Sequence, residues 1–155
     1  MNLVNNQKNL RFFFLFTVSS FFAVSIGAFG AHGLKTVLTF EMLQIFETGN
    51  KYQFYHSLAG ILVSIFSFFL NASLSPYSTN TDSMQVKTIE RSIKSFGKAQ
   101  LFFSLGILVF SGSLYTLSIT GIRILGAITP IGGLCFLVGW VFFSLGVYSL
   151  LVPKK

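Results

Sequence analysis

Residues 124–153 read ILGAITPIGGLCFLVGWVFFSLGVYSLLVP, thirty consecutive positions without Asp, Glu, Lys or Arg. A helix needs only about 20 residues to cross hydrocarbon, so an apolar run of this length has no competing soluble explanation. Three similar runs precede it, at residues 12–34, 52–81 and 99–122, with 23, 30 and 24 residues. Together the four hold 107 of the 155 residues, and the 15 charged side chains are confined to the other 48. Hydrophobic residues at 52%, aromatics at 17% and a mean hydropathy of +0.71 lie beyond soluble globular composition. The expected fold is all-α, a four-transmembrane-helix bundle forming one membrane domain. Its spans are expected at about residues 10–33, 52–70, 99–119 and 130–151, with a polar cytoplasmic loop over 71–98.

Charge outside the spans sets the expected sidedness. The net charge of +7 would suit nucleic acid in a soluble chain, but in one this apolar it reads as loop bias, and no nucleic-acid partner is expected. Four spans put the N-terminus, the second loop and the C-terminus on one side, with eight of the eleven Lys and Arg: Lys8, Arg11, Lys87, Arg91, Lys94, Lys98, Lys154 and Lys155. Lys35, Lys51 and Arg123 fall on the other. The positive-inside rule therefore places both termini in the cytoplasm and the chain in the cytoplasmic (inner) membrane. A rival reading takes Lys8, Arg11 and the apolar run after them as a signal peptide, cleaved near Ala28 and Gly30. The run is longer than a usual signal core, and cleavage would discard a ridge of small residues, Ser19, Ala23, Gly27 and Ala31, that suits close helix packing. The single cysteine, Cys135, sits in an apolar run, so neither a disulfide framework nor a Cys/His metal spacing is present.

Between the first two spans, EMLQIFET (41–48) can form an amphipathic turn pair on the outer interface, and Gly49 with Asn50 blurs the start of helix 2. The second loop opens with NASLSPYSTNTDS, a polar linker. Asp82 and Gln85 then resemble a capping pair before a basic amphipathic helix. Its Val86, Ile89, Ile93 and Phe96 share one arc, while Lys87, Arg91, Lys94 and Lys98 face the other way, toward anionic lipid headgroups. On helix 3, Ser104, Ser111 and Ser118 recur every seven residues. Helix 4 is expected to begin at Pro130 with Thr129 as its cap, leaving GIRILGAI (121–128) as a loop, an interfacial turn or the front of a kinked helix. Gly132, Gly139 and Gly146 mark its packed face.

Catalytic motifs are absent from the sequence, and none of the four apolar runs carries an acid or a cation of the kind that marks transport sites. Topology instead brings polar groups to one depth near the outer face: His32, Tyr52, Gln53, His56, Ser111, Ser113, Tyr115 and Thr129. Such a cluster would serve as interhelical glue, or bind a headgroup or small ligand, with the helix 4 amino-terminal amides favouring an anion. Two histidines without a carboxylate or thiolate partner make a weak metal set, so no metal and no cofactor is expected.

Four stretches, GAFGAHGL, FETGNKYQFYHSLAGIL, LFFSLGILVFSGSLY and ITPIGGLCFLVGW, carry a resemblance. In this order and spacing they resemble the small membrane proteins of domain-of-unknown-function family 423, the YgdD/YwdK-like proteins. The resemblance implies a four-helix integral membrane protein and supplies no catalytic residues. Here the second loop is longer than in that pattern, around residues 76–85. Two function classes follow. One is a non-catalytic structural or interaction component of the membrane, pairing with itself or another membrane protein. The other is a small oligomeric transporter or channel for a small solute or ion.

Overall fold

The computed structural model of the chain describes residues 3–74 and 83–152. Of the polar linker over 71–83, residues 75–82, with Asp82 of the capping pair, lie outside the described residues, while residues 71–73 close the second helix and Ser83 opens the third. Helix α1 is Leu3–Phe29 and runs on through a π turn, Gly30–Leu34. Helix α2 is Phe40–Ser73. Helix α3 is Ser83–Gly106, continued through a π segment, Ile107–Ser111, into Gly112–Thr120. Helix α4 is Leu125–Leu151. All four are long and apolar enough to cross a membrane.

Every helix begins earlier than the sequence reading placed it. Helix α2 starts at Phe40, not near Tyr52, because Thr39 caps it: its backbone is extended and its hydroxyl accepts from the Met42 amide at 3.3 Å. The EMLQIFET segment is therefore the first part of α2, not a separate interfacial piece. At 34 residues α2 is about 51 Å long against about 30 Å of hydrocarbon, so the part with Glu41, Glu47 and Lys51 extends past the apolar layer. The basic segment is likewise no separate helix. It runs unbroken into α3, with Lys87, Arg91, Lys94 and Lys98 exposed and Phe96 fully buried in the bundle.

Helix α4 begins five residues before Pro130, so Pro130 is interior and Thr129 is no cap. Gly121, left-handed at φ 72°, closes α3, and the amides of Leu125, Gly126 and Ala127 bond to the carbonyls three residues back, which satisfies the first turn of α4. The proline then removes one amide bond, and the Thr129 hydroxyl donates to the Leu125 carbonyl at 3.2 Å. Residues 121–124 alone are the connection.

Helices α2 and α3 form the middle of the bundle; α1 packs on α2 and grazes α3, and α4 packs chiefly on α3. One apolar core runs through all four, built from Phe16, Ala59, Val63, Phe96, Ala99, Phe103 and Phe136. Among the described residues eleven hydrophobic ones are buried and so are eleven polar ones, while Phe14, Phe21, Phe69 and Leu137 stand on the outside. That inversion suits lipid. Apolar side chains gain nothing by leaving acyl chains, so close packing and hydrogen bonds must hold the helices together.

Packing here takes the form of phenylalanines seated against glycine notches, by their rings at Gly139 and Gly146 and by the Phe110 backbone at Gly132. A Cβ on Gly132, Gly139 or Gly146 would run into Phe110, Phe103 or Phe96 respectively. Both triplets repeat every seven residues, so two antiparallel helices mesh over three successive layers. Gly106 against Phe136 and Gly60 against Phe16 repeat the device.

Candidate functional site

Of the polar cluster expected from topology, Gln53 and Tyr115 are brought together, in a network built around α2. Asn50 and Gln53 lie one turn apart on the α2 face that meets both α1 and α3. The Asn50 side-chain amide donates to the Ala23 carbonyl at 2.6 Å and to the Tyr115 hydroxyl at 3.2 Å. That hydroxyl donates onward to Gln53 Oε1 at 2.8 Å, and Gln53 Nε2 donates to the Ser19 carbonyl at 3.1 Å. Ser57 completes the chain through the Ser19 hydroxyl at 2.7 Å. Three helices are tied by donors that each meet an acceptor, as a low-dielectric interior demands.

His56 forms a second tie. Its Nδ1 donates to the Tyr52 carbonyl at 2.9 Å, and the Trp140 indole N–H donates to Nε2 at 3.3 Å. These partners fix a neutral ring with the hydrogen on Nδ1, since a hydrogen on Nε2 would face the indole donor. The ring stacks on Phe136 with centroids 3.5 Å apart. Both nitrogens are engaged, leaving no lone pair for a metal. His56→Gln is therefore expected to keep near-native stability, because an amide offers both a donor and an acceptor. His56→Leu should cost about 1 kcal/mol by stranding the indole N–H. Thermal melting of both variants in mild detergent checks this; a Leu variant as stable as its parent would show that the tie is idle.

Other members stand apart. Ser113 and Thr129 pair their hydroxyls at 2.9 Å and join α3 to α4. Tyr52 packs its ring on Phe110, with centroids 4.7 Å apart, and remains 41% exposed. Ser111 is buried in the π segment, and its hydroxyl has no partner among the described residues. His32 is exposed on the π turn that ends α1 and takes part in none of these bonds. The amides at the start of α4 are spent on the first-turn bonds already described.

Of the small-residue ridge on α1, Ala23 is buried, Ser19 is bonded as above, and Gly27 lies against Asn50. Ala31 is exposed, whereas Gly30 is buried against Phe46. A four-residue repeat drifts by about 40° per step on an α-helix, so by its fourth member it has left the contact face, while a final step of three returns to it.

A further polar network lies toward the other end of the bundle. Gln100 Nε2 donates to Asn9 Oδ1 at 2.9 Å and to Ser64 Oγ at 2.8 Å, and Asn9 Nδ2 donates to the Ser64 carbonyl at 2.9 Å. Ser92 and Ser149 pair their hydroxyls at 2.6 Å. The sequence reading missed Asn9, Asn50, Ser64, Ser92, Gln100 and Trp140. A signal was present on α2, where Gly49, Gln53, His56, Gly60, Ser64, Ser67 and Asn71 follow one another at steps of three and four.

Comparison with known proteins places this arrangement in a family. The model described as "Protein of unknown function (DUF423)" matches residues 26–133, a stretch holding Asn50, Gln53, His56 and Tyr115. A UPF0382 membrane protein of Staphylococcus saprophyticus is 39% identical over 139 residues, 90% of this chain and 98% of its own. UPF0382 membrane protein YwdK of Bacillus subtilis is 37% identical over 140 residues, with the same two shares. UPF0382 inner membrane protein YgdD of Escherichia coli is 34% identical, covering 90% of this chain and 92% of its own. No solved structure matches. With four apolar helices held by polar ties, and relatives similar along nearly their whole length, the chain belongs to the DUF423 family of membrane proteins.

Proposed function

We propose that the chain is a non-catalytic structural or interaction component of the cytoplasmic membrane, with both termini on the cytoplasmic side. The observation that carries this reading is that most polar groups of the cluster are bonded across helices, Asn50, Gln53 and Tyr115 in one network, His56 with Trp140, Ser113 with Thr129, with Ser111 the buried exception. A solute path needs polar groups left free to replace the solute's hydration, and these are occupied. The eight-to-three division of Lys and Arg supports the orientation, and the name of the Escherichia coli relative as an inner membrane protein supports the location. In this orientation Lys87, Arg91, Lys94 and Lys98 meet the anionic cytoplasmic leaflet.

Two measurements test the reading. Purified protein in liposomes should move ions and small solutes no faster than empty liposomes, and flux above that level would replace this function with the oligomeric transporter. For orientation, Cys135→Ala is combined with single cysteines. Val37→Cys and Thr120→Cys should react with an impermeant reagent added to intact cells, and Ser78→Cys should not; labelling at Ser78 overturns the topology. Asn50 is unsuitable as a loop reporter because its side chain is tied to Ala23 and Tyr115.

A further inference from the structure

We propose that the cleft between α1 and α3, at the end of the bundle holding Lys8 and Lys94, binds the phosphodiester of an anionic glycerophospholipid. Because α1 leans on α2 and only grazes α3, a cavity of about 480 Å³ remains between them. Lys8 and Lys94 line it from opposite helices, with Ser67 and Asn71 of α2 behind. Its deepest polar groups, Asn9 and Gln100, are buried and bonded to each other, which fixes the floor. Among the lining residues there is no carboxylate; Glu90, one turn from Lys94, is not one of them. The third lysine of the lining, Lys98, holds its ammonium 5.0 Å above the Phe142 ring on α4, so the pair that faces an anion is Lys8 and Lys94.

A lipid fits this chemistry better than a free anion. Phe12, Ile93 and Leu101 line the same cavity beside the cations, giving apolar walls for a glycerol backbone and the first acyl methylenes. Depth agrees. Lys8 lies four residues before the charge-free run that starts at Phe12, and Lys94 five before the run that starts at Ala99, which is headgroup level for both. The inference goes beyond the structural role proposed above and adds a cation from α1 to the basic face expected on α3 alone.

The full chain in neutral detergent, titrated with dioleoyl phosphatidylglycerol or dioleoyl phosphatidylcholine and followed by native mass spectrometry, should retain the anionic lipid preferentially. Lys8→Gln with Lys94→Gln should weaken that retention roughly tenfold, while Lys87→Gln with Arg91→Gln, on the same helix but outside the cleft, should change it less than about twofold. Equal losses in the two double variants would mean attraction to a diffuse basic surface and overturn the cleft. Displacement of the lipid by millimolar inorganic phosphate would overturn the lipid in favour of a free anion. Should the cleft variant fail to fold, a photoreactive phosphatidylglycerol added to the unaltered protein decides: crosslinks within residues 8–12 and 93–101 support the site, and crosslinks confined elsewhere refute it.

Discussion

Gly132→Leu should abolish the folded bundle, with a loss of at least ~3 kcal/mol and no recoverable monodisperse protein in mild detergent. At this position a Cβ would meet the backbone nitrogen and Cα of Phe110, and a helix backbone cannot swing aside as a side chain can. Gly139 and Gly146 face ring atoms of Phe103 and Phe96, which have some freedom to move. Alanine at the three positions should therefore rank Gly132 as the most damaging. In lipid, contact between α3 and α4 rests on dispersion between close surfaces, so a separation of an ångström forfeits a large part of it along all three layers. Gly97 and Gly112 supply the control. A Cβ at either meets nothing within 4 Å, so Gly97→Ala and Gly112→Ala should be neutral or stabilise by up to ~1 kcal/mol through helix propensity. Thermal melting read by size-exclusion retention gives the comparison, and a Gly132→Leu protein that melts with its parent would remove the notch as the basis of packing.

The four helices were legible because nothing but a membrane crossing explains charge-free runs of 23 to 30 residues. Their ends were not. Gly49 and Asn50 look like a helix break in water, yet Gly49 sits against Leu114 and the Ser111 carbonyl, and Asn50 spends its amide on a neighbouring helix. Both are contact residues of a continuous helix. Pro130 misled in the same way, since start signals derived from solvated helices assume that water satisfies whatever lies before the proline. Beside hydrocarbon the chain gains by extending its own hydrogen bonding as far as the next turn permits.

For the polar cluster, sequence fixes depth but not azimuth. Gln53 and Tyr115 share both and meet at 2.8 Å; His32 shares the expected depth and points away. The glycine repeat on α4 was readable, and its partner, Phe96, Phe103 and Phe110 at the same spacing on α3, was equally present. What no single chain of letters supplies is the pairing of one repeat with the other, which depends on the antiparallel register set by the four-residue connection at 121–124.

Gln100→Leu is the substitution that should most affect the other end of the molecule, at a cost of about 1–2 kcal/mol. The side chain is 2% exposed, and its one nitrogen serves acceptors on both α1 and α2. Leucine preserves much of the volume and removes both bonds, leaving the Asn9 carbonyl oxygen without its donor in a low-dielectric site. Ser64 suffers less, because its hydroxyl still donates to the Gly60 carbonyl at 2.8 Å. Asn9→Leu removes the same contact from the α1 side together with the bond to the Ser64 carbonyl. The two losses should then overlap. Once either partner is gone the other's unmet demand has already been incurred, and the double variant should be more stable than the summed single losses imply by at least ~0.6 kcal/mol. A melting series on the two single variants and the double variant measures that coupling directly. Strict additivity would mean that α1 is held to α3 by nothing at this level, and that the contact between Asn9 and Gln100 is a consequence of packing set elsewhere.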